Sequence, residues 1–521
     1  MTRIIFIVSC VLLTISCNEA ARILVVIPTP SISHQVVFRP LMLELAKRGH
    51  EIIAITTDPL PKEATSGNIT EIDLHDISYK GWKQEISKKS TTTTENIDGL
   101  FTQMTVFLNV LNAVFEKQMR TKEVQDLIKS NQKFDLLLVE AWVRPALAFA
   151  HIFEIPAIFV SSFGNLLLTN EVMGAATHPI LYPDIMRQKL NNLSLWDKIV
   201  EVYNYYRVNY VVSNSVYNEN KSLKRLFGED FPTYHDLVKY VQLSLINVHP
   251  IWENNRPVPP SVVYIGGIHQ IPKKELPKDL ETYLNSSKNG VIYISFGTNI
   301  DPSMLPPERI QTLIKGFSEL PFDVLWKFNK DEMPGKSKNI KLSKWLPQSD
   351  LLRHPKIKLF ITQGGLQSTD EAISAGVPLI GIPMIADQWY NVEQYVHHKI
   401  GARLDMETLT KDKFKDTIQM IIGDESYKNN IIRLRSIMYD QPQTALDRSV
   451  WWVEHVLRHK GAEHLRSPAA NMSWSEYLEL ELVSVVLLSF IAFVSLIIVI
   501  LRYLLRLVTR NYVTSIKFKE S

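Results

Sequence analysis

The sequence predicts an α/β protein with two doubly wound domains, each built on a parallel sheet, followed by a membrane-spanning helix. Two observations predict the sheets. Short apolar β-rich runs alternate with helical spacing from residue 21 onward, and the same alternation restarts near Gly290. The third observation is a run of nineteen uncharged, mostly apolar residues near the carboxyl terminus, residues 483–501. A chain of 521 residues is long enough for two such domains.

The first residues are typical of a secretory signal peptide. Arg3 precedes a short apolar stretch, and small and polar residues follow up to Ala20. Because the apolar stretch is too short to span a bilayer comfortably, we expect residues 1–20 to be cleaved rather than retained as a membrane helix. Both cysteines, Cys10 and Cys17, lie in this segment. Cysteine catalysis and zinc–thiolate sites are therefore excluded from the mature chain.

The run near the carboxyl terminus is long enough to cross a membrane. As a helix, residues 483–501 would extend about 28 Å, close to the hydrocarbon thickness of a bilayer. Residues 502–521 carry five basic residues and one acid, so the positive-inside rule predicts a cytosolic tail and a lumenal body. The final KFKES resembles a dilysine retrieval signal, although any basic stop-transfer flank looks similar. Together these features predict a single-pass type I protein of the endoplasmic reticulum membrane.

Net charge and glycosylation motifs say less about function than the two terminal segments do. The basic tail explains much of the formal net charge of +3, so charge indicates no nucleic-acid partner. Five N-x-S/T triplets are compatible with a glycoprotein but also arise by chance. They begin at Asn68, Asn192, Asn220, Asn285 and Asn471.

The first domain, predicted over residues 21–250, opens with a β–α–β unit. ARILVVI and IIAITT are typical of strands, and the segment between them has the apolar spacing of a helix. Two more strands are predicted over residues 136–139 and 158–160. Aromatic-rich helical stretches at residues 91–129 and 169–231 interrupt the alternation. They are typical of core helices, of the lining of an apolar cavity or of a membrane-facing surface, and all three interpretations stay open.

The second domain, predicted over residues 276–440, repeats this pattern. Strands are predicted in GVIYISFGT, FDVLWKF, IKLFITQ and VPLIGIP, with helices over residues 306–320 and from Gln388. Residues 251–275, rich in proline and aromatic residues, are predicted as the interdomain linker. Residues 441–482 are predicted to contain a helix that returns to the first domain, followed by a stalk.

The stretch TQGGLQSTDEA, residues 362–372, is a candidate binding element. It follows a strand, and its glycines, Gly364 and Gly365, let the backbone approach a ligand while the first amides of the next helix bind an anion. Glu371 is placed to accept the hydroxyls of a ribose. The alternative needs no ligand, because Ser368 and Glu371 match the S-x-x-E capping box. Neither the dinucleotide fingerprint nor the Walker loop is present in this stretch.

The longer window FITQGGLQSTDEAISAGVPLIGIPMIADQ, residues 360–388, resembles the signature of the UDP-glycosyltransferases, the membrane-anchored enzymes that conjugate sugars to small lipophilic molecules. The matching features include the paired glycines, Glu371, two prolines and the closing Asp387-Gln388. The resemblance extends through the whole chain and is closest to the insect UDP-glucosyltransferases. It implies a GT-B fold, in which two facing Rossmann-like domains hold the site in the cleft between them.

The resemblance also implies a donor site in the second domain. Trp345 would stack on uracil and Gln348 would hydrogen-bond the nucleoside, although KWLPQSDLL alone is typical of a turn before a helix. Asp387 and Gln388 would bind sugar hydroxyls, and the alternative role of Asp387 is a helix cap. The other implied donor contacts are Arg256, Ser295, Gly297, Thr298, Gln363, Gly364, Gly365, Gln367, Ser368 and Glu371. Gln363 stands where many relatives have histidine, so charge neutralisation at the diphosphate is weaker or is supplied by amides and Arg256.

The chemistry requires a base that removes the acceptor proton. His34, in the predicted loop PTPSISHQ after the first strand, lies where the family keeps its catalytic histidine, although a lone loop histidine is usually just solvated. Glu140, at the end of the FDLLLV strand, stands where the family usually has aspartate and would orient the imidazole. Asp135, earlier in that strand, is the second candidate for this role.

The sequence therefore predicts metal-independent, inverting transfer of a hexose, expected to be glucose, from a UDP-sugar to a hydroxyl of a small lipophilic acceptor. No D-x-D triplet is present to hold a metal-bound nucleotide, and no cofactor is expected beyond the UDP-sugar co-substrate. The expected partners are this donor, an acceptor such as a phenol, xenobiotic, hormone or pigment, and a membrane; a homodimer or heterodimer stays open.

Two other classes of function stay open. One is a carrier that binds a nucleotide sugar or a lipophile without turnover, and the other is an enzyme, such as an epimerase, that modifies nucleotide sugars. The intact His34 and the intact donor signature disfavour the carrier. The membrane anchor and the apolar stretches of the first domain disfavour the epimerase, whose substrates are polar and soluble.

Overall fold

The computed structural model of the protein describes residues 20–61, 67–90, 99–164, 167–298 and 305–519. The chain forms two compact units, one ending at Ser467 and the other comprising Pro468–Ser521. The predicted signal peptide, apart from its last residue, lies outside the described residues and stays a prediction.

The first unit contains two parallel sheets. The strands of the first sheet are β1 (Arg22–Ile27), β2 (Glu51–Thr56), β3 (Ile69–Asp73), β4 (Leu136–Glu140), β5 (Ala157–Ser161), β6 (Val241–Ile246) and β7 (Val262–Tyr264). Their order is β3-β2-β1-β4-β5-β6-β7, and every neighbouring pair is parallel. The chain order reverses between β1 and β4, which is where open α/β sheets hold their ligands. Since β7 pairs with β6, part of the predicted linker belongs to this sheet.

The described helices of this half are α1 (Ile32–Lys47), α2 (His75–Ser90), α3 (Gly99–Met119), α4 (Lys122–Lys129), α5 (Ala148–Phe153), α6 (Leu167–Met173), α7 (Leu195–Phe227) and α8 (Tyr234–Leu237). The prediction that His34 lies in a loop is wrong, because His34 occupies the first turn of α1. Ser31, directly after Pro30, has extended backbone, and its carbonyl accepts the amides of His34 and Gln35. The helix therefore begins earlier than the proline-rich sequence suggests.

The second sheet is built in the same way. Its strands are β8 (Val291–Ser295), β9 (Asp323–Lys327), β10 (Ile340–Ser343), β11 (Ile357–Thr362), β12 (Leu379–Gly381) and β13 (Gly401–Arg403), in the order β10-β9-β8-β11-β12-β13. All the neighbouring pairs are parallel, and the reversal lies between β8 and β11. Its helices are α9 (Lys278–Ser286), α10 (Pro307–Ser318), α11 (Gln348–Leu352), α12 (Leu366–Ala375), α13 (Gln388–His397), α14 (Lys411–Gly423) and α15 (Glu425–Tyr439).

The central strands of both sheets are buried on both faces. Every residue of β4, β5 and β8 is buried, which gives the near-continuous apolar runs expected of parallel sheets covered by helices. Alternate side chains enter different cores, so that Leu24 and Val26 pack on one face of the first sheet and Val25 on the other. Glu140 is an exception, a fully buried carboxyl group at the carboxyl end of β4. A buried carboxylate needs specific partners, which marks this strand end as a candidate site.

The last helix of this unit, α16 (Ala445–His459), packs on the first sheet although it follows the second domain in sequence. It contributes Val450 and Val453 to the core under β1 and α1. Arg48, just after α1, donates to both carboxylate oxygens of Glu454 at 3.3 Å. This helix therefore ties the end of the second domain to the first.

The second unit contains α17 (Trp474–Tyr477) and α18 (Leu480–Lys519). Among the described residues, one helical stretch, Leu480–Asn511 of α18, is long and apolar enough to cross a membrane, and none of its most apolar window is buried. The helix starts before the predicted span and continues past residue 501 through Arg502 and Arg506, because arginine is a good helix former and no proline or glycine interrupts it.

Candidate active site

The candidate catalytic pair lies at the point where the order of the first sheet reverses. The Nδ1 atom of His34, in the first turn of α1, is in hydrogen-bond contact with Oε1 of Glu140 at the end of β4. The Glu140 side chain is fully buried, whereas His34 keeps 12% of its side chain exposed. The second oxygen of Glu140 accepts the backbone amide of Thr29 at 3.2 Å. Because Nδ1 faces the carboxylate, Nε2 is the ring nitrogen that can act as a base.

Two further residues surround the His34 imidazole. The hydroxyl of Ser162, which directly follows β5, lies 3.1 Å from Nδ1, and the ring of Phe163 meets the imidazole edge-on at 5.5 Å. Sequence analysis did not name either residue, and the available signal was their position at the end of a predicted strand. The alternative acid, Asp135, lies at the opposite end of β4, where its carboxylate accepts the amide of Arg22 at 2.7 Å. Asp135 is therefore not the partner of His34.

Ser295 and Gly297 form a turn at the carboxyl end of β8. The amide of Gly297 donates to the hydroxyl of Ser295 at 3.3 Å, and its φ of +76° lies in the left-handed region. This φ favours glycine, and a Cβ atom at Gly297 would also lie 2.3 Å from Nε2 of Gln363, which would have to shift. The Gln363 amide thus lies against this turn, and Thr298, the next residue, is exposed.

The helix α12 starts directly after the paired glycines, with Gly365 as its N-cap and no side-chain cap. Gly364 has a φ of +94°, and a Cβ there would lie 2.6 Å from a methyl group of Val392. The capping-box interpretation is wrong, because Ser368 and Glu371 lie inside the helix and bond to another side chain. Without a side-chain cap, the first backbone amides of α12 can bind an anion at the positive end of the helix dipole.

The side chain that bonds to Ser368 and Glu371 is Gln348, the first residue of α11. Its Nε2 atom donates to the Ser368 hydroxyl at 2.9 Å and to Oε2 of Glu371 at 2.8 Å, and its Oε1 atom accepts the Tyr293 hydroxyl at 2.9 Å. Burial raises the pKa of the Glu371 carboxyl, and the Gln348 hydrogen bond opposes this shift. The network fixes one oxygen of Glu371 and connects three predicted donor contacts. Sequence analysis missed Tyr293, which is concealed among the apolar residues of β8.

Trp345 lies nearby with 68% of its surface exposed, which is unusual for an indole. The Nζ atom of Lys327, at the end of β9, lies 4.9 Å from the centre of the indole ring and donates to the carbonyl of Gly297 at 3.0 Å. Desolvation lowers the pKa of Lys327. An exposed aromatic face beside a cation suits a heterocyclic ring attached to an anion. Sequence analysis did not identify Lys327.

Asp387 precedes α13 but makes no side-chain cap bond to it, so the capping role considered for this residue is not observed. Its carboxylate accepts Nδ2 of Asn391 at 2.8 Å, and the same nitrogen donates to the carbonyl of Gly364 at 2.9 Å. Burial raises the pKa of Asp387 to about 6, while the Asn391 hydrogen bond and the charge of the nearby His34 act in the opposite direction. Asp387 therefore lies within electrostatic range of the candidate base.

Two of the predicted donor contacts already have backbone partners. The side-chain carbonyl of Gln388 accepts the amides of residues 384–385 at 2.9 and 3.0 Å, which leaves its NH₂ group as the part that can donate to a ligand. The guanidinium of Arg256 is buried and donates to the carbonyls of residues 182–183 at 3.2 and 3.0 Å. In this arrangement Arg256 joins two parts of the chain, and its contact with phosphate stays a prediction.

Gln367 connects the two halves of the site. From the first turn of α12, its Nε2 atom donates to the carbonyl of Ser162 at 2.8 Å and to the carbonyl of Ser33 at 3.3 Å. The carboxyl ends of the two sheets therefore face each other across one cleft. One wall carries the His34–Glu140 pair and the other carries the glycine turns and the Gln348 network. Among the residues that the structure describes, no group of three or more His, Cys, Asp or Glu side chains could hold a metal ion.

Comparison with solved structures defines the class of this fold. The glycosyltransferase of kitacinnamycin matches with a TM-score of 0.56 and 18% identity, covering 84% of this chain and 99% of that chain. The UDP-glucose:anthocyanidin 3-O-glucosyltransferase in complex with UDP matches with a TM-score of 0.57 and 16% identity, covering 85% and 100%. The protein therefore has the GT-B fold of glycosyltransferases.

Comparison with a family model and with relatives assigns the chain to one family within this fold. The family model for UDP-glucuronosyl and UDP-glucosyl transferases matches residues 21–514, and the chain belongs to this family of UDP-glycosyltransferases. The ecdysteroid UDP-glucosyltransferase of Spodoptera littoralis nuclear polyhedrosis virus is 35% identical over 89% of this chain and 94% of its own length. UDP-glycosyltransferase UGT5 of Dactylopius coccus is 32% identical over 95% of each chain. The predictions of the family, the GT-B fold and an enzyme that uses a UDP-sugar are thereby confirmed.

Proposed function

We propose that this UDP-glycosyltransferase transfers glucose from UDP-glucose to a hydroxyl of a small lipophilic acceptor, with inversion at the anomeric carbon. The observation that carries the proposal is the His34–Glu140 pair, which faces the donor wall across a cleft bridged by Gln367. A base on one wall and an anion-binding helix terminus on the other are the two groups that displacement of a nucleoside diphosphate requires.

The proposed reaction is a single displacement. With the Nδ1 proton donated to Glu140, Nε2 of His34 takes the proton of the acceptor hydroxyl as the acceptor oxygen bonds to the anomeric carbon. The bond from that carbon to the diphosphate oxygen breaks at the same time, and UDP leaves with the electron pair. Glu140 stabilises the imidazolium that forms, and the amides of α12 receive the negative charge on the leaving diphosphate.

The donor wall supports binding of the nucleotide and the sugar by different groups. The exposed indole of Trp345 would stack on uracil, and the free oxygen of Glu371 would accept the ribose hydroxyls while Gln348 holds the other. The turn at Ser295, Gly297 and Thr298, together with Gln363, would bind the diphosphate through neutral donors. Asp387 and the NH₂ group of Gln388 would bind glucose hydroxyls.

The acceptor is proposed from two sources. Relatives at 32–35% identity carry the name ecdysteroid UDP-glucosyltransferase, which makes a hydroxylated steroid hormone one candidate acceptor. Phenols, xenobiotics and pigments are the other candidates, since the Phe163 ring lies against the base and the Trp142 ring lies against Phe163. Conjugation of such molecules would serve detoxification or hormone inactivation.

The test is glucoside formation and UDP release from UDP-glucose and a simple phenol, in microsomes carrying the full chain. We expect turnover in the wild type and its collapse in His34→Ala with UDP binding retained. His235→Ala, which removes an exposed histidine of the same domain, serves as the matched control and should keep full activity. A wild type that binds UDP-glucose but converts no acceptor in a broad panel would instead support a carrier.

We also propose that no metal ion or other cofactor is needed and that the protein is a type I glycoprotein of the endoplasmic reticulum, with its active site in the lumen. The apolar helix Leu480–Asn511 and the basic residues from Arg502 onward support the orientation. Activity that survives chelation by EDTA, and protection of the first unit from protease in sealed microsomes, are the expected results. Cleavage of the first unit in sealed vesicles would show that the protein has the opposite orientation.

A further inference from the structure

We propose that the indole N–H of Trp142 donates a hydrogen bond to an oxygen atom at the far end of the acceptor, away from the hydroxyl that is glucosylated. The enzyme would then prefer long, multi-ring acceptors that carry a second oxygen, such as a ketone, over acceptors of the same shape that lack it. This inference rests on the proposed glucosyl transfer and deepens it by naming the class of acceptor.

The position of Trp142 carries the first part of the argument. It follows Glu140 by two residues at the carboxyl end of β4 and is 7% exposed. The Phe163 ring contacts Trp142 edge-on at 4.7 Å and contacts the His34 imidazole edge-on at 5.5 Å. A single aromatic ring therefore separates Trp142 from the candidate base. An acceptor with its hydroxyl at His34 would meet Phe163 first, and Trp142 would be the next ring beyond it.

Neighbouring rings extend this surface. Phe107 of α3 meets the Trp142 ring at 5.4 Å, and Trp82 of α2 meets Phe107 at 5.6 Å. We call Trp82, Phe107, Trp142 and Phe163 the aromatic row. Trp82 and Phe107 are only partly buried, so the row runs from beside the base towards the surface of the first domain. Rings that meet edge to face offer broad apolar contact to a flat, fused-ring molecule.

The unpaired donor is the second, independent observation. Nε1 of Trp142 is buried and has no hydrogen-bond partner among the described residues. Buried indole N–H groups usually find a partner, as Trp252 does by donating to Asn391 at 2.8 Å. Leaving such a group unpaired lowers the stability of the fold, and a functional role is one reason why a protein retains such a group. An indole nitrogen only donates, so the missing partner is an oxygen or another acceptor atom.

One other indole shows the same lack of a partner in a different setting. Nε1 of Trp326, on β9, is also buried and has no partner among the residues that the structure describes, but this side chain is fully enclosed beside Phe317 and Phe328 in the core of the second sheet. Trp326 has no place on the aromatic row. Substitution of Trp326 therefore serves as a control, because it removes a buried indole N–H at a position that the acceptor would not contact.

The experiment compares two pairs of phenols with the full chain in microsomes. The long pair is estrone and its analogue without the ketone, and the short pair is para-hydroxyacetophenone and para-ethylphenol. The variants are Trp142→Phe, which keeps an aromatic ring without the donor, and Trp326→Phe. The measurements are kcat/KM for each acceptor, KM for UDP-glucose, and equilibrium binding of the long pair.

We expect the wild type to prefer estrone over its deoxo analogue by about 10-fold or more, since leaving a site's buried polar group unpaired is heavily penalised. Trp142→Phe should bring the kcat/KM ratio of the long pair close to one while KM for UDP-glucose stays unchanged. The preference should persist in Trp326→Phe. The kcat/KM ratio of the short pair, which reflects the greater acidity of the acetyl-substituted phenol, should be the same in the wild type and in both variants.

Two results would overturn the inference while leaving the proposed function intact: equal kcat/KM for the long pair in the wild type, or an unchanged preference in Trp142→Phe. A structural role alone would lower activity with both members of the pair equally. If no acceptor is turned over, the proposed function fails, and the binding arm still decides the inference, because equal affinity for the long pair would contradict it.

Discussion

The two walls of the cleft have the same architecture but satisfy their polar groups differently. On the donor wall, Gln348, Glu371 and Tyr293 are hydrogen-bonded to one another without any ligand. On the other wall, His34 and Glu140 contact each other, whereas the buried indole N–H of the neighbouring Trp142 has no partner within the described part of the chain. A wall that always receives the same nucleotide can be preorganised by its own side chains. Under the proposed function, a wall that selects among acceptors would leave part of its hydrogen bonding to the substrate.

The catalytic pair should show the largest effect. In Glu140→Gln the side chain cannot stabilise the imidazolium and can present its NH₂ group to Nδ1, which favours the wrong tautomer of His34. We expect kcat to fall by about 10²- to 10⁴-fold, as in other histidine–acid pairs, with UDP-glucose binding unchanged. Glu140→Asp, which restores the carboxylate usual in the family, is the control and should keep most activity. A kcat within about threefold of the wild type in Glu140→Gln would remove this residue from the mechanism.

Substitutions in the Gln348 network should change KM for UDP-glucose rather than kcat. Glu371→Gln keeps the shape of the side chain but removes the charged acceptor for the ribose hydroxyls. Because hydrogen bonds to a charged group are worth about 1.5–3 kcal/mol, KM for UDP-glucose should rise about 10- to 100-fold while KM for the acceptor stays constant. Tyr293→Phe, which removes only the outer bond to Gln348, should have a much smaller effect. Equal changes in both KM values would show that the two walls are not independent.

Asp387 should couple the stability of the fold to pH. Burial raises its pKa from 3.8 to about 6, so the folded protein binds this proton more tightly than the unfolded chain. The stability that this group contributes is therefore complete below about pH 4 and is lost as the pH rises through about 6. The free energy of unfolding of Asp387→Asn relative to the wild type should increase over that window by about 3 kcal/mol and then stay level. A difference that is constant from pH 4 to 8 would contradict the shift.

The interdomain contact should show the smallest effect. Gln367→Ala loses two hydrogen bonds to backbone carbonyls of the other wall, each worth about 1 kcal/mol at most in net terms. We expect kcat/KM to fall by about 3- to 10-fold for both substrates alike. Gln311→Ala, which removes a glutamine bonded to the backbone within the second domain, is the control and should leave kinetics unchanged. A loss confined to one substrate would place Gln367 in that substrate's site instead.

Local features of the sequence were enough to predict much of the fold. The strand predicted over residues 136–139 is observed as Leu136–Glu140, and the helix predicted over residues 306–320 is observed as Pro307–Ser318. The donor contacts predicted between Trp345 and Gln388 could be named for the same reason, since they form one nearly continuous stretch of the sequence; their roles stay predictions. Apolar periodicity, glycines and prolines act on neighbouring residues, and so they can be read without knowledge of the tertiary structure.

The sequence by itself therefore determined the two parallel-sheet domains, the apolar helix near the carboxyl terminus and the donor signature. Only the tertiary structure decided the rest. Ser162 lies 128 residues from His34, and their contact depends on the order of β1, β4 and β5 in the sheet. Whether the indole N–H of Trp142 finds a partner among the described residues depends on the side chains that pack around it. Long-range contacts and the competition of polar groups for partners follow from the packing of the whole domain, which no local pattern encodes.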